Sequence, residues 1–218
     1  MRILGKRHQC LVVLLFHCAR QDAKRTVADC DAFLWNPHQK LVIFDVDGTI
    51  TKSDVVGYVE SVYLNTFTHH HSGVCQFLNQ LHRHNYQVLY LTSRPIEAIH
   101  CTRLLLTSII EDTTQLPRGP LFTNTLRAIK ALYQEVWAGG SGAFKTGVLR
   151  GICDLYVSAG VPRTPFIAGF GNRVTDIEAY KSAGVLEGML FLIAPNSIVR
   201  VYQPEPQMPC ADAMIMGE

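Results

Sequence analysis

The chain has 218 residues, of which 48% are hydrophobic, and its formal net charge at pH 7 is +2. This composition provides for a large buried core and excludes wholesale disorder, and the near-neutral charge lacks the strong basic field of a nucleic-acid binder, so we expect no nucleic-acid partner. The seven cysteines include no CxxC pair, which indicates reduced thiols rather than a disulfide framework or a zinc site.

The N-terminal segment admits three interpretations. Basic residues at positions 2, 6 and 7 precede a short apolar run over 10–16, which is too short to span a bilayer as a helix. The run could be a cleaved signal peptide, a helix that touches a membrane surface, or an incidental or buried segment. We therefore predict an N-terminal segment of uncertain order over 1–27, a domain over 28–203 and a proline-containing tail over 204–218.

Two hydrophobic patterns alternate along the rest of the chain. Continuous apolar runs predict buried strands at 41–44, 88–91, 166–170 and 189–193. Apolar residues at helical spacing predict helices at 74–81, 126–136 and 144–155, and a proline in a first turn predicts one from Pro95 onward. A further short helix is predicted at 176–183. The glycine-rich segment 139–142 is predicted to be a flexible loop, and His69 to His71 a solvated loop. The alternation predicts an α/β, Rossmann-like fold with three α/β/α layers and a mainly parallel sheet.

The most informative segment is DVDGT at 45–49, directly after the first predicted strand of the sheet. Side chains alternate along an extended segment, so Asp45 and Asp47 are expected on the same side. Two carboxylates there can hold a hard cation such as Mg²⁺. One of them can attack phosphorus, and the other can protonate the leaving alkoxide and then activate water. Gly48 permits the sharp turn that follows.

Three further polar clusters follow in the order that such a site needs. Thr92 comes directly after a predicted strand and could bind a phosphoryl oxygen. Lys145 could offset the charge of nucleophile and phosphate. Asn172 could supply another oxygen ligand, with Asp176 as a carboxylate that orients it. Because ligands collect at the carboxyl ends of parallel strands, these residues are predicted to converge there.

The sequence resembles the haloacid-dehalogenase-like phosphohydrolases and, more closely, the catalytic domain of lipins, the LNS2 domain. The segments that carry this resemblance are DVDGTITKSD at 45–54, LPRGPL at 116–121, and FGNR at 170–173 with Asp176. The similarity extends from about residue 33 to residue 203. It implies a haloacid-dehalogenase-like fold and a Mg²⁺-dependent phosphatidate phosphatase, which hydrolyses phosphatidic acid to diacylglycerol and phosphate through an aspartyl-phosphate.

The resemblance also implies roles for individual residues. Asp45 is the expected nucleophile and Asp47 the general acid/base. Asp45, the backbone carbonyl of Asp47 and Asn172 are expected to hold Mg²⁺, with Asp176 nearby. Thr92 and Lys145 are the expected phosphoryl ligands, and the additional candidates for binding the phosphate are Arg94, Arg118 and Arg173.

Two differences from lipins leave alternatives open. Thr92-Ser93-Arg94 stands where lipins tend to have Ser-Ala-Arg, a change that keeps the hydroxyl. Lipins also carry a separate N-terminal segment that completes the fold, so this chain is expected to be a minimal enzyme, a fragment, or dependent on a partner that supplies that segment. The alternative functions are a non-catalytic phosphatidic-acid-binding module and a soluble phosphatase of small phosphate esters. The expected location is the cytoplasm, at the surface of the endoplasmic reticulum or nuclear membrane.

Overall fold

The computed structural model of the chain describes residues 11–22, 25–52, 69–124, 140–161 and 163–204, with side chains described from residue 31 onward except at 140 and 141. Its strands, in chain order, are β1 (Leu11–Asp22), β2 (Arg25–Trp35), β3 (Lys40–Asp45), β4 (Tyr86–Pro95), β5 (Ile110–Glu111), β6 (Thr114–Gln115), β7 (Leu121–Asn124), β8 (Phe166–Gly171), β9 (Leu190–Ile193) and β10 (Val199–Val201). Its α-helices are α1 (Val74–Arg83), α2 (Ile99–Ser108), α3 (Gly140–Ser158) and α4 (Val174–Ser182).

Six of the described strands form one sheet in the order β10-β9-β8-β3-β4-β7. All neighbours in it are parallel except the edge pair β9 and β10, which is antiparallel. The pairs β1–β2 and β5–β6 form separate two-stranded antiparallel sheets. The predicted mainly parallel sheet is therefore confirmed, and the carboxyl ends of β3, β4, β7, β8 and β9 share one edge.

Helices cover both faces of this sheet. Along β3 the buried side chains alternate, so that Val42 and Phe44 pack with residues of α1 and α2, whereas Leu41 and Ile43 pack with residues of α3 and α4. This division follows from the period of two along a strand. The predicted three-layer α/β/α arrangement is confirmed, and no described helix has the length and hydrophobicity that a membrane crossing requires.

Most predicted elements that can be compared are confirmed. The strands predicted at 41–44, 88–91, 166–170 and 189–193 correspond to β3, β4, β8 and β9, although β4 continues through Thr92 to Pro95. The helices predicted from Val74, Phe144 and Asp176 correspond to α1, α3 and α4. The helix predicted at 126–136 lies outside the described residues.

One predicted loop is wrong, and the predicted solvated loop at His69 to His71 is solvated only in part, since His69 is exposed. Residues 140–142 form the first turn of α3, because glycine can adopt helical backbone angles as well as those of a loop. His71 is buried rather than solvated: its Nδ1 lies 2.8 Å from Ser197 Oγ, and its Nε2 lies 3.4 Å from the carbonyl oxygen of Gly48. His70 Nε2 lies 3.5 Å from a carboxylate oxygen of Glu111.

The apolar run near the N-terminus forms a strand. Residues 11–16 belong to β1, which pairs with β2 over most of its length. The interpretation of this run as a membrane-touching helix is therefore wrong, because the segment is extended and hydrogen-bonded to a neighbour. The predicted domain limits stay predictions, and the boundary at residue 28 falls within β2.

Candidate active site

Polar side chains from β3, β4, α3 and α4 converge at the carboxyl edge of the sheet. Asp45 is the last residue of β3, and Asp47 lies in the turn that follows. Thr92 and Arg94 belong to the last part of β4, which pairs in parallel with β3. Asp176 lies in the first turn of α4, which begins just after β8. The parallel register thus brings together residues that are up to 131 positions apart in the chain.

Lys145 lies at the centre of this cluster. Its Nζ is 2.5 Å from Asp45 Oδ1 and 2.6 Å from Asp176 Oδ1. All three residues are buried, with 4% or less of their surface exposed. Charges can be buried this deeply only when they are paired and hydrogen-bonded, and here one ammonium bridges two carboxylates. Lys145 therefore holds the carboxyl groups of β3 and α4 within a few ångström of each other.

Burial and charge act against each other at this triad. Burial raises the pKa of Asp45 to about 8, although the adjacent Lys145 acts to lower it. Burial would lower the pKa of Lys145, but Asp45 and Asp176 raise it above its ordinary value. The ammonium is thus held in its charged form, and a further positive charge beside Asp45 would favour the carboxylate over the acid.

The DVDGT turn holds the second oxygen of Asp45. Thr49 Oγ1 donates a hydrogen bond to Asp45 Oδ2 over 3.3 Å. The backbone N–H of Gly48 donates to Thr51 Oγ1, and Gly48 adopts a φ of 78°, where glycine has no steric penalty. The predicted sharp turn at Gly48 is therefore confirmed, and both oxygens of Asp45 have protein partners.

Asp47 is bound by β4 rather than by the Lys145 triad. Arg94 donates to both of its carboxylate oxygens, and Thr92 Oγ1 donates to Asp47 Oδ2 over 3.0 Å. The guanidinium also donates to Thr102 Oγ1 on α2 over 3.4 Å. The side chain of Arg94 is only 2% exposed, whereas that of Asp47 is 18% exposed. Arg94 therefore acts here as a positioning residue for Asp47.

Gly171 permits the close approach of α4 to β8. A Cβ atom at this position would lie 2.6 Å from Cβ of Asp176 and 2.9 Å from its Oδ2. Asp176 Oδ2 accepts a hydrogen bond from the backbone N–H of Arg173 over 3.2 Å, so the carboxylate caps its own helix. The absence of a side chain at Gly171 therefore fixes where the Asp176 carboxylate can lie.

The structure does not bring all predicted site residues together. Asn172 and the exposed Arg173 follow β8 at the same edge as Asp45. Arg118 lies on the other side, before β7, where its carbonyl oxygen accepts a hydrogen bond from Gln87 near the start of β4. There it lines a cavity of about 210 Å³. Arg118 is thus at the amino edge of the sheet, remote from the triad.

Sequence reasoning missed several residues that support the site. Thr49 could have been found as part of the DVDGT segment, since it follows Asp45 by four positions. Thr102 carried no signal, because a threonine in a helix has no characteristic spacing, and His71 was predicted to be solvated together with His69 and His70. Among the described residues, no group of three or more His, Cys, Asp or Glu side chains is arranged to hold a metal ion.

Comparison with known proteins places the chain in a family. The LNS2 (Lipin/Ned1/Smp2) family model matches residues 10–208. The chain is 36% identical over 169 residues to Nuclear elongation and deformation protein 1 of Schizosaccharomyces pombe, a match that covers 78% of this chain and 25% of that protein. It is 35% identical over 179 residues to Phosphatidic acid phosphohydrolase 1 of Saccharomyces cerevisiae, covering 79% and 20%. It is 35% identical over 165 residues to Phosphatidate phosphatase LPIN1 of Homo sapiens, covering 75% and 18%.

These matches span a quarter or less of each relative's length. The family model begins at residue 10 and ends at residue 208, so its match includes the hairpin of β1 and β2 and the whole described sheet. The chain belongs to the LNS2 (Lipin/Ned1/Smp2) family.

Proposed function

We propose that this chain is a Mg²⁺-dependent phosphatidate phosphatase that hydrolyses phosphatidic acid to diacylglycerol and phosphate. The observation that carries the proposal is the buried contact of Lys145 with Asp45 and Asp176 at the carboxyl edge of the sheet. Relatives that bear the names phosphatidic acid phosphohydrolase and phosphatidate phosphatase support the choice of substrate. The proposal concerns only the segment that this chain shares with them.

The donor chemistry of the site fits Mg²⁺. Asp45 and Asp176 offer carboxylate oxygens beside one another, Asn172 offers an amide oxygen, and Asp47 offers a backbone carbonyl. Mg²⁺ prefers such oxygen ligands and usually keeps several waters, so a few protein ligands suffice. When bound, the ion would supply positive charge that offsets the charge of the phosphate and the carboxylates.

In the first half-reaction, an oxygen of Asp45 attacks phosphorus and the bond from phosphorus to the glycerol oxygen breaks. Asp47, as the acid, transfers a proton to that leaving oxygen, which gives diacylglycerol. Lys145 offsets the negative charge that accumulates between nucleophile and phosphate. The product of this step is a phosphoryl group on Asp45.

In the second half-reaction, water attacks phosphorus and the bond between phosphorus and the Asp45 oxygen breaks. Asp47, now a carboxylate, accepts the proton from that water and returns to the acid form. Inorganic phosphate leaves, and Asp45 is again a free carboxylate. Arg94 and Thr92 bind the side chain of Asp47 and so position it for both proton transfers.

The substrate sets where the reaction takes place. Phosphatidic acid resides in a bilayer, so we propose that the chain acts in the cytoplasm at the surface of the endoplasmic reticulum or nuclear membrane. The exposed Arg173 at the site's edge is a candidate for binding the substrate phosphate.

The test is phosphate release from phosphatidic acid in mixed micelles, with Mg²⁺ and with excess chelator. Wild type is expected to release phosphate only with Mg²⁺, and Asp45→Asn to reduce the rate by about three orders of magnitude, because the amide is a poor nucleophile. The matched control is Asp154→Asn, a change at another aspartate, on the helix α3. Unchanged release by Asp45→Asn would refute the mechanism.

Two outcomes would favour other functions. Binding of phosphatidic-acid vesicles without any phosphate release would indicate a binding module. Release from a small soluble phosphomonoester, with none from phosphatidic acid in the same micelles, would indicate a soluble phosphatase. Both assays use the same protein preparations. The circular dichroism spectrum of each variant is compared with that of wild type, so that a folding defect is recognised.

A further inference from the structure

Three aliphatic side chains are exposed to solvent near the candidate active site. Ile96 is 41% exposed, Val174 is 50% exposed and Ile198 is 44% exposed. Isolated surface hydrophobic residues are ordinary, but these three come from separate segments that end at the same edge of the sheet. We name Ile96, Val174 and Ile198 the apolar rim.

The topology places the apolar rim at the carboxyl edge. Ile96 directly follows β4, Val174 begins α4 after β8, and Ile198 lies in the turn between β9 and β10. That turn is closed by a hydrogen bond from the N–H of Ala194 to the carbonyl oxygen of Ile198 over 2.9 Å. Strands β9, β8, β3 and β4 are neighbours, and neighbouring strands lie about 4.8 Å apart, so the rim spans roughly 15 Å across the site.

Charged side chains accompany the rim. Lys52 follows the DVDGT turn and Arg173 precedes Val174, and both are exposed. Glu97, next to Ile96, is an exposed acidic residue of the same edge. Basic side chains beside exposed aliphatic ones are suited to a surface that is anionic outside and apolar beneath.

We propose that the apolar rim inserts into the surface of a bilayer that contains phosphatidic acid and so orients the active site toward the lipid phosphate. This inference rests on the proposed function and extends it by naming the residues that contact the membrane. Asp45 is buried, so it can meet a phosphate only if the carboxyl edge itself faces the lipid. Insertion of three half-exposed side chains would remove apolar surface from water at that edge.

The test compares a triple variant with a matched control. The triple variant is Ile96→Ser, Val174→Ser and Ile198→Ser. The control is Leu186→Ser, because Leu186 is 74% exposed but precedes β9, at the opposite edge of the sheet. Two quantities are measured for each protein: co-sedimentation with phosphatidylcholine vesicles that contain phosphatidic acid, and phosphate release from those vesicles and from a short-chain, water-soluble phosphatidic acid.

The triple variant is expected to bind vesicles about tenfold or more weakly than wild type and to lose vesicle activity in proportion. Its activity on the water-soluble substrate should stay within about twofold of wild type, because the rim residues are not part of the chemistry. Leu186→Ser should match wild type in every measurement. Each of the three substitutions alone should weaken vesicle binding by about threefold. These single variants replace the triple variant in the test if the triple variant does not fold.

Some results would overturn the proposal. Equal vesicle binding by wild type and the triple variant would refute it, as would equal losses in the triple variant and Leu186→Ser. A rim that mediates contact between two copies of the chain would instead appear as wild-type self-association, lost in the triple variant, without vesicle binding. Absence of phosphate release from both substrates would refute the proposed function alone, because vesicle binding is measured separately.

Discussion

The guanidinium of Arg94 binds both carboxylate oxygens of Asp47. Arg94 Nε lies 3.0 Å from each oxygen, and Nη2 lies 2.7 Å from Oδ1. A forked arginine contact of this kind fixes both the position and the orientation of a carboxylate. The residue proposed as general acid/base is therefore held by its own partner from β4, separate from the ammonium that holds the proposed nucleophile.

Replacing Arg94 by lysine should slow the reaction without weakening substrate binding. Lysine offers a point charge in place of the planar fork, so Asp47 would lose its fixed orientation. We expect Arg94→Lys to lower kcat about tenfold or more and to leave KM nearly unchanged, as measured on a water-soluble phosphatidic acid.

The control for this variant is Arg83→Lys, at the exposed end of α1. It should retain wild-type kcat and KM. A rise in KM for Arg94→Lys with kcat unchanged would mean that Arg94 binds the substrate phosphate, as the sequence alone suggested.

Removing the buried ammonium should destabilise the fold. In Lys145→Met, the carboxyl groups of Asp45 and Asp176 lose their shared partner in a buried site. Loss of one partner of a buried ion pair costs about 3–5 kcal/mol, and we expect a decrease of that order in the free energy of unfolding. Urea denaturation followed by circular dichroism measures it.

Lys181→Met is the matched control for this comparison. Lys181 pairs with Glu187, but both side chains are about half exposed. Water and salt screen such a pair, so the variant should unfold at nearly the wild-type urea concentration. If Lys145→Met and Lys181→Met lost equal amounts of unfolding free energy, burial of the Lys145 triad would not contribute the expected extra stability.

A methyl group at position 171 should disturb Asp176. Since a Cβ there would lie 2.6 Å from Cβ of Asp176, Gly171→Ala must push α4 away from β8. We expect a loss of stability of about 1–3 kcal/mol, typical of overpacking, together with a lower rate of phosphate release. Thermal unfolding and the micelle assay measure the two effects.

Gly151→Ala provides the opposite case. Gly151 lies within α3, and a Cβ there meets no atom within 4 Å. Alanine is a better helix former than glycine, so this variant should gain about 0.5–1 kcal/mol without loss of activity. Equal effects of both alanine substitutions would contradict the steric explanation.

Protonation of His71 should reduce the stability of the folded chain in mild acid. Burial lowers the pKa of His71 below its ordinary value of 6.5, so the folded state favours the neutral ring. The unfolded chain takes up this proton more readily, so the stabilising contribution is complete above pH 6.5 and is lost as the pH falls toward the folded pKa. Unfolding in urea at about pH 7.5 and pH 5.5 measures the loss.

The non-titrating variant His71→Gln isolates this effect from that of the carboxylates. Its free energy of unfolding should decrease less between the two pH values than that of wild type. His84→Gln, at an exposed position after α1, should show the wild-type decrease. If the free energy of unfolding of His71→Gln decreased between the two pH values as much as that of wild type, His71 would be excluded as the source of the acid destabilisation.

The sequence by itself determined the class of fold and the segments that contribute to the site. The apolar runs that end at Asp45 and near Thr92 identified neighbouring buried strands, because strands of a parallel sheet are apolar on both faces. Parallel strands end at a common edge, and so the convergence of Asp45, Lys145 and Asp176 was predictable in outline. Apolar residues at helical spacing located α1 and α3.

Only the tertiary structure decided which side chain contacts which. Lys145 bridges two carboxylates and Arg94 binds Asp47 because the packing of helices and strands sets distances that no local pattern encodes. Arg118 is excluded from the site because its segment enters β7 from the amino edge, a direction that becomes known only when the pairing of β7 with β4 is known. Sequence periodicity reports the face of an element that is buried, whereas contacts between distant side chains follow from how those faces pack together.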